Sequence, residues 1–188
     1  MRFAHQKIYG IGNSITLKEI NTRNGKSFMC GIVGFTGTNQ AAPILLDGLS
    51  KLEYRGYDSA GIAVRDGENP TVVIKEKGKL KALLEKTNNG KAVSGSCGIG
   101  HTRWATHGEP SVTNAHPHSS DDGNVVGVHN GIIENYQEQR KKLIKKGYTF
   151  TSQTDTEVAI KLIDPQQPDA LYHAGGSRNP RSSVYIWQ

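Results

Sequence analysis

The sequence predicts an α+β fold in which amphipathic helices pack on sheets of buried strands. Short apolar runs next to glycine are typical of buried strands, and apolar residues at helical spacing lie between several of them. Clusters of Gly, Asn, Asp and Pro separate these segments as turns. The chain has 188 residues, 35% of them hydrophobic and 21% charged, which suits one soluble globular domain.

Each element follows from its local pattern. Leu45, Leu49 and Leu52 recur at helical spacing, and the turn at 66–70 joins two runs that alternate like strands. Basic residues late in the third helix complement its dipole, and Gly147 is a typical cap. Predicted strands are 32–35, 61–65, 71–75, 97–104, 124–129 and 148–151, and predicted helices are 42–53, 79–86, 134–146 and 154–163.

The two ends of the chain differ from the segment between them. Residues 1–28 are polar and without a sustained period, so we expect an extension or leader outside the fold. Residues 164–188 show no period either, and we expect a poorly ordered tail. The predicted domain therefore runs from 29 to 163, with a long polar loop at 105–123 of the kind that often carries function.

Charge and composition exclude several function classes. The formal net charge is +6, but five basic residues and one acid lie within 1–28, so the charge does not indicate a nucleic-acid-binding face. No apolar run is long enough to span a membrane, and no apolar secretory segment is present. Two cysteines do not make a disulfide framework, which favours the reducing cytoplasm.

A methionine and a cysteine, Met29 and Cys30, stand before Gly31 like the start of a protein. A cysteine at the first position of a mature chain can use its own α-amine as a general base, because that amine has a pKa of about 7.7–8.0. Processing before Cys30, or initiation at Met29, would produce such a chain. The alternative is a small cysteine packed in the core at the head of a strand.

Other side chains suit the binding of a charged substrate. Arg103 can hold a carboxylate with two donors, or it can be a surface arginine that pairs with an acid or stacks on Trp104. Asn130 and Gly131 suit an oxyanion hole, although Asn-Gly is also the commonest hairpin turn. Asp155 can hold an ammonium group or start a helix.

Three histidines, His107, His116 and His118, raise the possibility of a metal site. His-Pro-His in a loop lacks the helical or paired-cysteine spacing of known zinc sites. We therefore predict no metal and interpret these side chains as loop histidines that cap turns or line a pocket.

Five segments together, in their order and spacing, resemble the N-terminal glutaminase domain of the glutamine–fructose-6-phosphate aminotransferases, which are class II glutamine amidotransferases. The segments are MCGIVGFTG (29–37), RGYDSAG (55–61), GHTRWATHGEP (100–110), HNGIIENY (129–136) and SQTDTEV (152–158). The resemblance implies an α/β/β/α sandwich of the N-terminal nucleophile hydrolase type, here C-terminally incomplete. By the same resemblance, we expect the sugar isomerase domains that bind fructose 6-phosphate in this family to lie outside these 188 residues.

The resemblance also implies the roles of individual residues. Cys30 would be the nucleophile, with Asn130 and Gly131 as the oxyanion hole. The residues that bind glutamine would be Arg103, Trp104, Thr106, His107 and Asp155. No cofactor is implied, and the oligomeric state is not indicated. The implied function is glutamine hydrolysis that supplies ammonia for the conversion of fructose 6-phosphate to glucosamine 6-phosphate.

Two alternatives remain at this point. The chain can be an inactive truncated fragment that at most binds glutamine, because a peptide bond before Cys30 would block the amine. It can also be the glutaminase part of another class II amidotransferase with a different acceptor.

Overall fold

The structure is a computed structural model that describes residues 10–11, 14–15, 30–67, 69–105, 108–163 and 183–187. In chain order its strands are β1 (Gly10–Ile11), β2 (Ser14–Ile15), β3 (Gly31–Thr36), β4 (Ser59–Arg65), β5 (Val72–Lys77), β6 (Cys97–Arg103), β7 (His118–Ser119), β8 (Val125–His129) and β9 (Ser183–Trp187). Its α-helices are α1 (Ala41–Ser50), α2 (Leu80–Lys86), α3 (Tyr136–Lys145) and α4 (Asp155–Ile163), with a 3-10 turn at Glu53–Arg55. Strands β1 and β2 pair only with each other among these elements.

A four-stranded antiparallel sheet in the order β3-β6-β4-β5 lies at the centre of the domain. Helices α1 and α2 cover one of its faces and bury apolar side chains such as Leu45, Leu49 and Leu83 completely. Strand β6 contributes Gly98 and Gly100 to this face, and the missing side chains let α1 lie close to the sheet.

A three-stranded sheet in the order β7-β8-β9 packs against the other face of the central sheet. Ile32 and Ile99 from the central sheet meet Val126 and Val128 from β8 in a second apolar cluster. Helix α4 packs on the outer side of β7 and β8, and α3 packs on α4. The layers therefore run helix, sheet, sheet, helix, which confirms the predicted α/β/β/α arrangement.

Most predicted elements are present within a few residues of their expected bounds, but the strand predicted at 148–151 is wrong. The backbone N–H groups of Thr151 and Ser152 donate to the carboxylate of Glu157, at 2.9 and 2.7 Å. Because a side chain of α4 takes these donors, the segment caps a helix instead of joining a sheet.

A further strand lies where the sequence analysis expects no regular element. Strand β9, within the segment 164–188, pairs in parallel with β8 from Val125–Ser183 to His129–Trp187. Its sequence, SVYIW, is rich in β-branched and aromatic residues, which favour strands even in a short segment.

In the described part of the chain, no helix has the length and apolarity that crossing a membrane requires.

Candidate functional site

One cavity lies at the ends of β3, β6 and β8, where the two sheets meet the start of α4. It brings together six residues that the sequence analysis selects, namely Cys30, Arg103, Trp104, Asn130, Gly131 and Asp155. His101, His116, His129, Ile132, Thr154 and Thr156 complete its lining. Thr106 and His107, the other two predicted site residues, lie outside the described residues.

Cys30 precedes β3, and its thiol lies against the chain that leaves β6. The Sγ atom accepts a hydrogen bond from the backbone N–H of Trp104 at 3.1 Å and lies 3.7 Å from the carbonyl oxygen of the same residue. Burial raises the pKa of the Cys30 thiol, while the Trp104 N–H and the cation of Arg103 act in the opposite direction. With a raised pKa, the thiol needs a base to become a nucleophile at neutral pH.

Asn130 and Gly131 follow β8 directly and lead into the segment before α3, so they do not form a hairpin turn. The Asn130 Nδ2 group donates to the backbone carbonyl of Cys30 at 3.3 Å, which places an amide donor beside the cysteine. Gly131 has φ = +153°, and a Cβ there would lie 2.8 Å from His129 Nε2. Only glycine fits position 131 without strain.

Arg103 is 4% exposed, so the alternative of a surface arginine is wrong. It ends β6, where its Nη2 donates to the carbonyl of Gly108 at 3.2 Å and its Nη1 lies 3.9 Å from Asp58 Oδ1. Asp58 also accepts a hydrogen bond from the backbone N–H of Ala105 and donates its own N–H to the Arg103 carbonyl at 2.8 Å. Asp58, within the RGYDSAG segment, thus contacts both Arg103 and Ala105.

Asp155 is the first residue of α4, and the local sequence explains why the helix starts there. Thr154 and Glu157 have the spacing of a capping box, and the Thr154 hydroxyl accepts the Glu157 N–H at 3.3 Å. The Asp155 carboxylate is 5% exposed and accepts the backbone N–H of Ile133 at 2.8 Å. An acid at a helix start is stabilised by the dipole, so the helix-start interpretation of Asp155 is confirmed, while ammonium binding stays a prediction.

The cavity contains few charged side chains. Arg103 and Asp155 supply opposite charges, and the thiol and the Asn130 amide lie in the same cavity. Such a set can hold an amino-acid zwitterion and place a carbonyl carbon near a thiol. It can also donate hydrogen bonds to an oxyanion.

Three buried histidines stand side by side at the cavity, and two of them, His101 and His116, line it. The ring centroids of His101 and His116 are 4.4 Å apart, and those of His116 and His118 are 4.9 Å apart. Burial lowers the pKa of all three, that of His101 to about 4. His118 Nε2 lies 2.9 Å from the Thr154 hydroxyl. Among the described residues, no group of His, Cys, Asp and Glu has the arrangement of a metal site.

The sequence patterns assign no role to Asp58 or His101, although Asp58 lies in the RGYDSAG segment and His101 in the GHTRWATHGEP segment. The Asp58 carboxylate contacts residues about 45 positions later in the chain, and the His101 ring contacts a residue 29 positions later. Neither contact leaves a local pattern. One sequence signal could have indicated His101. It lies, together with Arg103, in a strand whose apolar and glycine residues predict burial.

Comparison with known proteins settles the family. The sequence pattern of the family described as "Glutamine amidotransferase domain" matches residues 84–177, half of the chain. The chain belongs to the glutamine amidotransferase domain family. The match includes β6, β8, α3 and α4, and it extends past Ile163 into the segment that the sequence analysis separates from the domain.

Several relatives of this amidotransferase domain carry the same name, glutamine–fructose-6-phosphate aminotransferase (isomerizing). The enzyme of Lactiplantibacillus plantarum is 57% identical over 136 residues, which are 72% of this chain and 22% of the relative. The enzyme of Bacillus thuringiensis subsp. konkukian is 53% identical over 161 residues, which are 84% of this chain and 26% of the relative. The chain therefore spans about a quarter of the length of these relatives or less.

Solved structures support the same fold. Glutamine phosphoribosylpyrophosphate amidotransferase from B. subtilis, in a complex with ADP and GMP, superposes with a TM-score of 0.59 at 32% identity. The overlap covers 72% of this chain and 29% of that one. A structure described as the allosteric regulatory enzyme of purine biosynthesis gives a TM-score of 0.54 at 30% identity. The amidotransferase domain thus has the N-terminal nucleophile type of fold.

Proposed function

We propose that this chain hydrolyses glutamine to glutamate and ammonia, with Cys30 as the nucleophile. The observation that carries the proposal is the cavity that unites a thiol, an amide donor and one buried charge of each sign. Glutamine is a zwitterion with an uncharged amide at its far end. Arg103 is suited to its α-carboxylate and Asp155 to its α-ammonium, which leaves the side-chain amide for the thiol.

The chemistry proceeds in two halves. Cys30 Sγ attacks the amide carbon, a C–S bond forms, and the carbonyl π electrons move to oxygen. Asn130 Nδ2 and the Gly131 N–H donate to that oxyanion, and preorganised donors of this kind lower the barrier by about 3–4 kcal/mol. The intermediate expels ammonia once its nitrogen is protonated, which leaves a γ-glutamyl thioester. Water then adds to the thioester, and the thiol departs with a proton as glutamate forms.

The base in this proposal is the α-amine of Cys30, which becomes available when Cys30 is the first residue of the mature chain. Two observations support it. Burial raises the pKa of the thiol, so attack requires proton removal. In the described part of the chain, the hydrogen-bond partners of Sγ are backbone groups of Trp104, so no side-chain base contacts it there. Residues 1–29 would then not be part of the working domain.

For the destination of the ammonia, we propose transfer to fructose 6-phosphate at a separate sugar isomerase part, in the cytoplasm. The support is the high identity to relatives named glutamine–fructose-6-phosphate aminotransferase. The second candidate is another class II amidotransferase, as the phosphoribosylpyrophosphate amidotransferase structure illustrates. This chain is 32% identical to that amidotransferase but 57% identical to the aminotransferase of Lactiplantibacillus plantarum, so we favour fructose 6-phosphate as the acceptor.

For Trp104, Thr106 and His107, we propose a loop that closes over bound glutamine.

A glutaminase assay tests this function directly. The chain is purified from its native host, its N-terminal residue is determined, and glutamate and ammonia are measured together. The proposal expects equal amounts of both products from a chain that begins at Cys30. A chain that begins at Cys30 and forms neither product would contradict it and would favour the inactive fragment that at most binds glutamine.

A further inference from the structure

Two contacts orient the side-chain amide of Asn130, and the inference drawn from them rests on the proposed function. Its Nδ2 donates to the Cys30 carbonyl at 3.3 Å, and its Oδ1 lies 2.7 Å from His101 Nε2. A primary amide presents two donors on one side and an acceptor on the other. A flip about its terminal bond would turn the oxygen toward the Cys30 backbone, and an oxyanion at the proposed site would then meet a lone pair instead of N–H groups.

His101 can distinguish these two orientations. A carboxamide oxygen has no proton, so the 2.7 Å contact requires a proton on His101 Nε2. Burial lowers the pKa of His101 to about 4, so the ring is neutral near pH 7 and carries its one proton at Nε2. Its Nδ1 atom has no hydrogen-bond partner among the described residues. A proton at Nδ1 would therefore be a buried donor without an acceptor, which disfavours the other tautomer.

The ring itself is held in place from several sides. His101 is 1% exposed, and its backbone pairs with Ile32 of β3 on one side and Gly61 of β4 on the other. The His116 ring packs against it, and the His116 carbonyl fills the space where Gly61 has no side chain. A donor fixed in this way does not turn away from Asn130.

We propose that His101 is a positioning residue for the oxyanion hole. Its Nε2–H holds the oxygen of the Asn130 amide, and this contact keeps Nδ2 directed toward the reacting carbonyl. His101 itself touches neither the thiol nor the amide that is cleaved. The contribution of His101 is therefore expected in kcat, where the oxyanion forms, and not in the binding of intact glutamine.

The first test compares His101→Leu with His101→Gln in the full chain, in the form that hydrolyses glutamine. The leucine removes the donor, while a glutamine side chain can still donate from its amide. We expect His101→Leu to lower kcat about 100-fold, as the loss of one oxyanion donor does, with KM within about threefold. His101→Gln should recover most of that loss. The control is Ile99→Val, which trims a buried residue on the same face of β6 and should leave kcat unchanged.

A double-mutant cycle with Asn130→Ala distinguishes positioning from general structural damage. If His101 acts through the Asn130 amide, His101→Leu should have no further effect on kcat once that amide is gone. An equal loss of kcat in both backgrounds would overturn the proposal, and so would an unchanged kcat for His101→Leu alone.

The tautomer of His101 gives a measurement that does not depend on turnover. In the wild-type chain with 15N-labelled histidine, we expect Nε2 protonated and Nδ1 bare at pH 7. A proton at Nδ1 would overturn the inference even if His101→Leu fails to fold. A wild-type chain that shows the expected tautomer but hydrolyses no glutamine would instead contradict the proposed function.

Discussion

The two faces of β6 differ in chemistry, although both are buried. Toward α1 the strand presents Gly98 and Gly100, and a Cβ at Gly100 would lie 3.0 Å from Leu49 Cδ1. Toward the second sheet it presents His101 and Arg103, which are 1% and 4% exposed and reach the cavity. One face fits a helix through the absence of side chains, and the other carries the polar groups of the site.

This difference shows how a seven-residue strand can specify packing and chemistry at once. Alternate residues of a strand point to opposite faces, so neighbouring positions experience unrelated constraints. On the helix face, which carries Gly98 and Gly100, shape decides which side chains fit. On the site face, which carries His101 and Arg103, charge and hydrogen bonding decide which side chains are suitable. Substitutions on the two faces should therefore separate stability from activity.

The largest effect is expected from a substitution of Cys30, the proposed nucleophile. Cys30→Ala should lower glutamine hydrolysis at least about 1,000-fold, because no other thiol lines the described cavity and the covalent route is lost. Its free energy of unfolding should change by less than about 1.5 kcal/mol, since the Cys30 side chain is only partly buried. Cys97→Ala, at the far end of β6, is the matched control and should retain activity.

Acid should lower the free energy of unfolding through the buried histidines of the site face. His101 has a pKa of about 4 in the fold against 6.5 when unfolded, so the unfolded chain binds the proton first as pH falls. Between pH 7 and pH 5 this one ring should lower the free energy of unfolding by about 2 kcal/mol. The lowered pKa values of His116 and His118 act in the same direction.

Urea unfolding at the two pH values measures this loss. The drop from pH 7 to pH 5 should be smaller by about 2 kcal/mol in His101→Gln, which has no imidazole to protonate. An identical drop in wild type and variant would mean that His101 does not have a lowered pKa in the fold.

The helix face should respond in stability alone. At Gly98, a new Cβ would lie 2.5 Å from the backbone oxygen of Ala63, which cannot move without shifting β4. We expect Gly98→Ala to lower the free energy of unfolding by about 2 kcal/mol, with kcat/KM unchanged below the transition. Gly100→Ala should cost less, because its contact is the flexible end of Leu49. A lower kcat/KM in folded Gly98→Ala would contradict the claim that substitutions on the helix face change stability but not activity.

The smallest effect is expected for substrate charge pairing. Asp155→Asn should raise KM for glutamine about tenfold, because an amide pairs more weakly with an ammonium group, while its oxygen can still accept the Ile133 N–H. Glutaramate, which lacks the α-ammonium group, provides the control substrate. Wild type and variant should use it equally poorly, and a persistent difference would place Asp155 in another role.

Local sequence patterns predict most of the strands and helices, whereas the order of the layers and the candidate site residues follow from the family resemblance that short motifs carry. Strand β6 reads as a strand from its apolar and glycine content, and Cys30, Arg103, Asn130 and Asp155 stand inside short motifs. The strand predicted at 148–151 is wrong because the Tyr148 N–H donates to the carbonyl of Leu143 at the end of α3, and the Thr151 N–H donates to the Glu157 carboxylate at the start of α4. The positions of Asp58 and His101 emerge only when strands far apart in sequence pair.

The most direct test of Cys30 as the nucleophile is covalent labelling of the chain from its native host with a diazoketone analogue of glutamine. Peptide mass spectrometry then locates the adduct and identifies the N-terminal residue. We predict one adduct per chain, on the thiol of Cys30, at the N-terminus, and protection from labelling by excess glutamine. An adduct on Cys97, or no adduct on a chain that begins at Cys30, would contradict the assignment of Cys30.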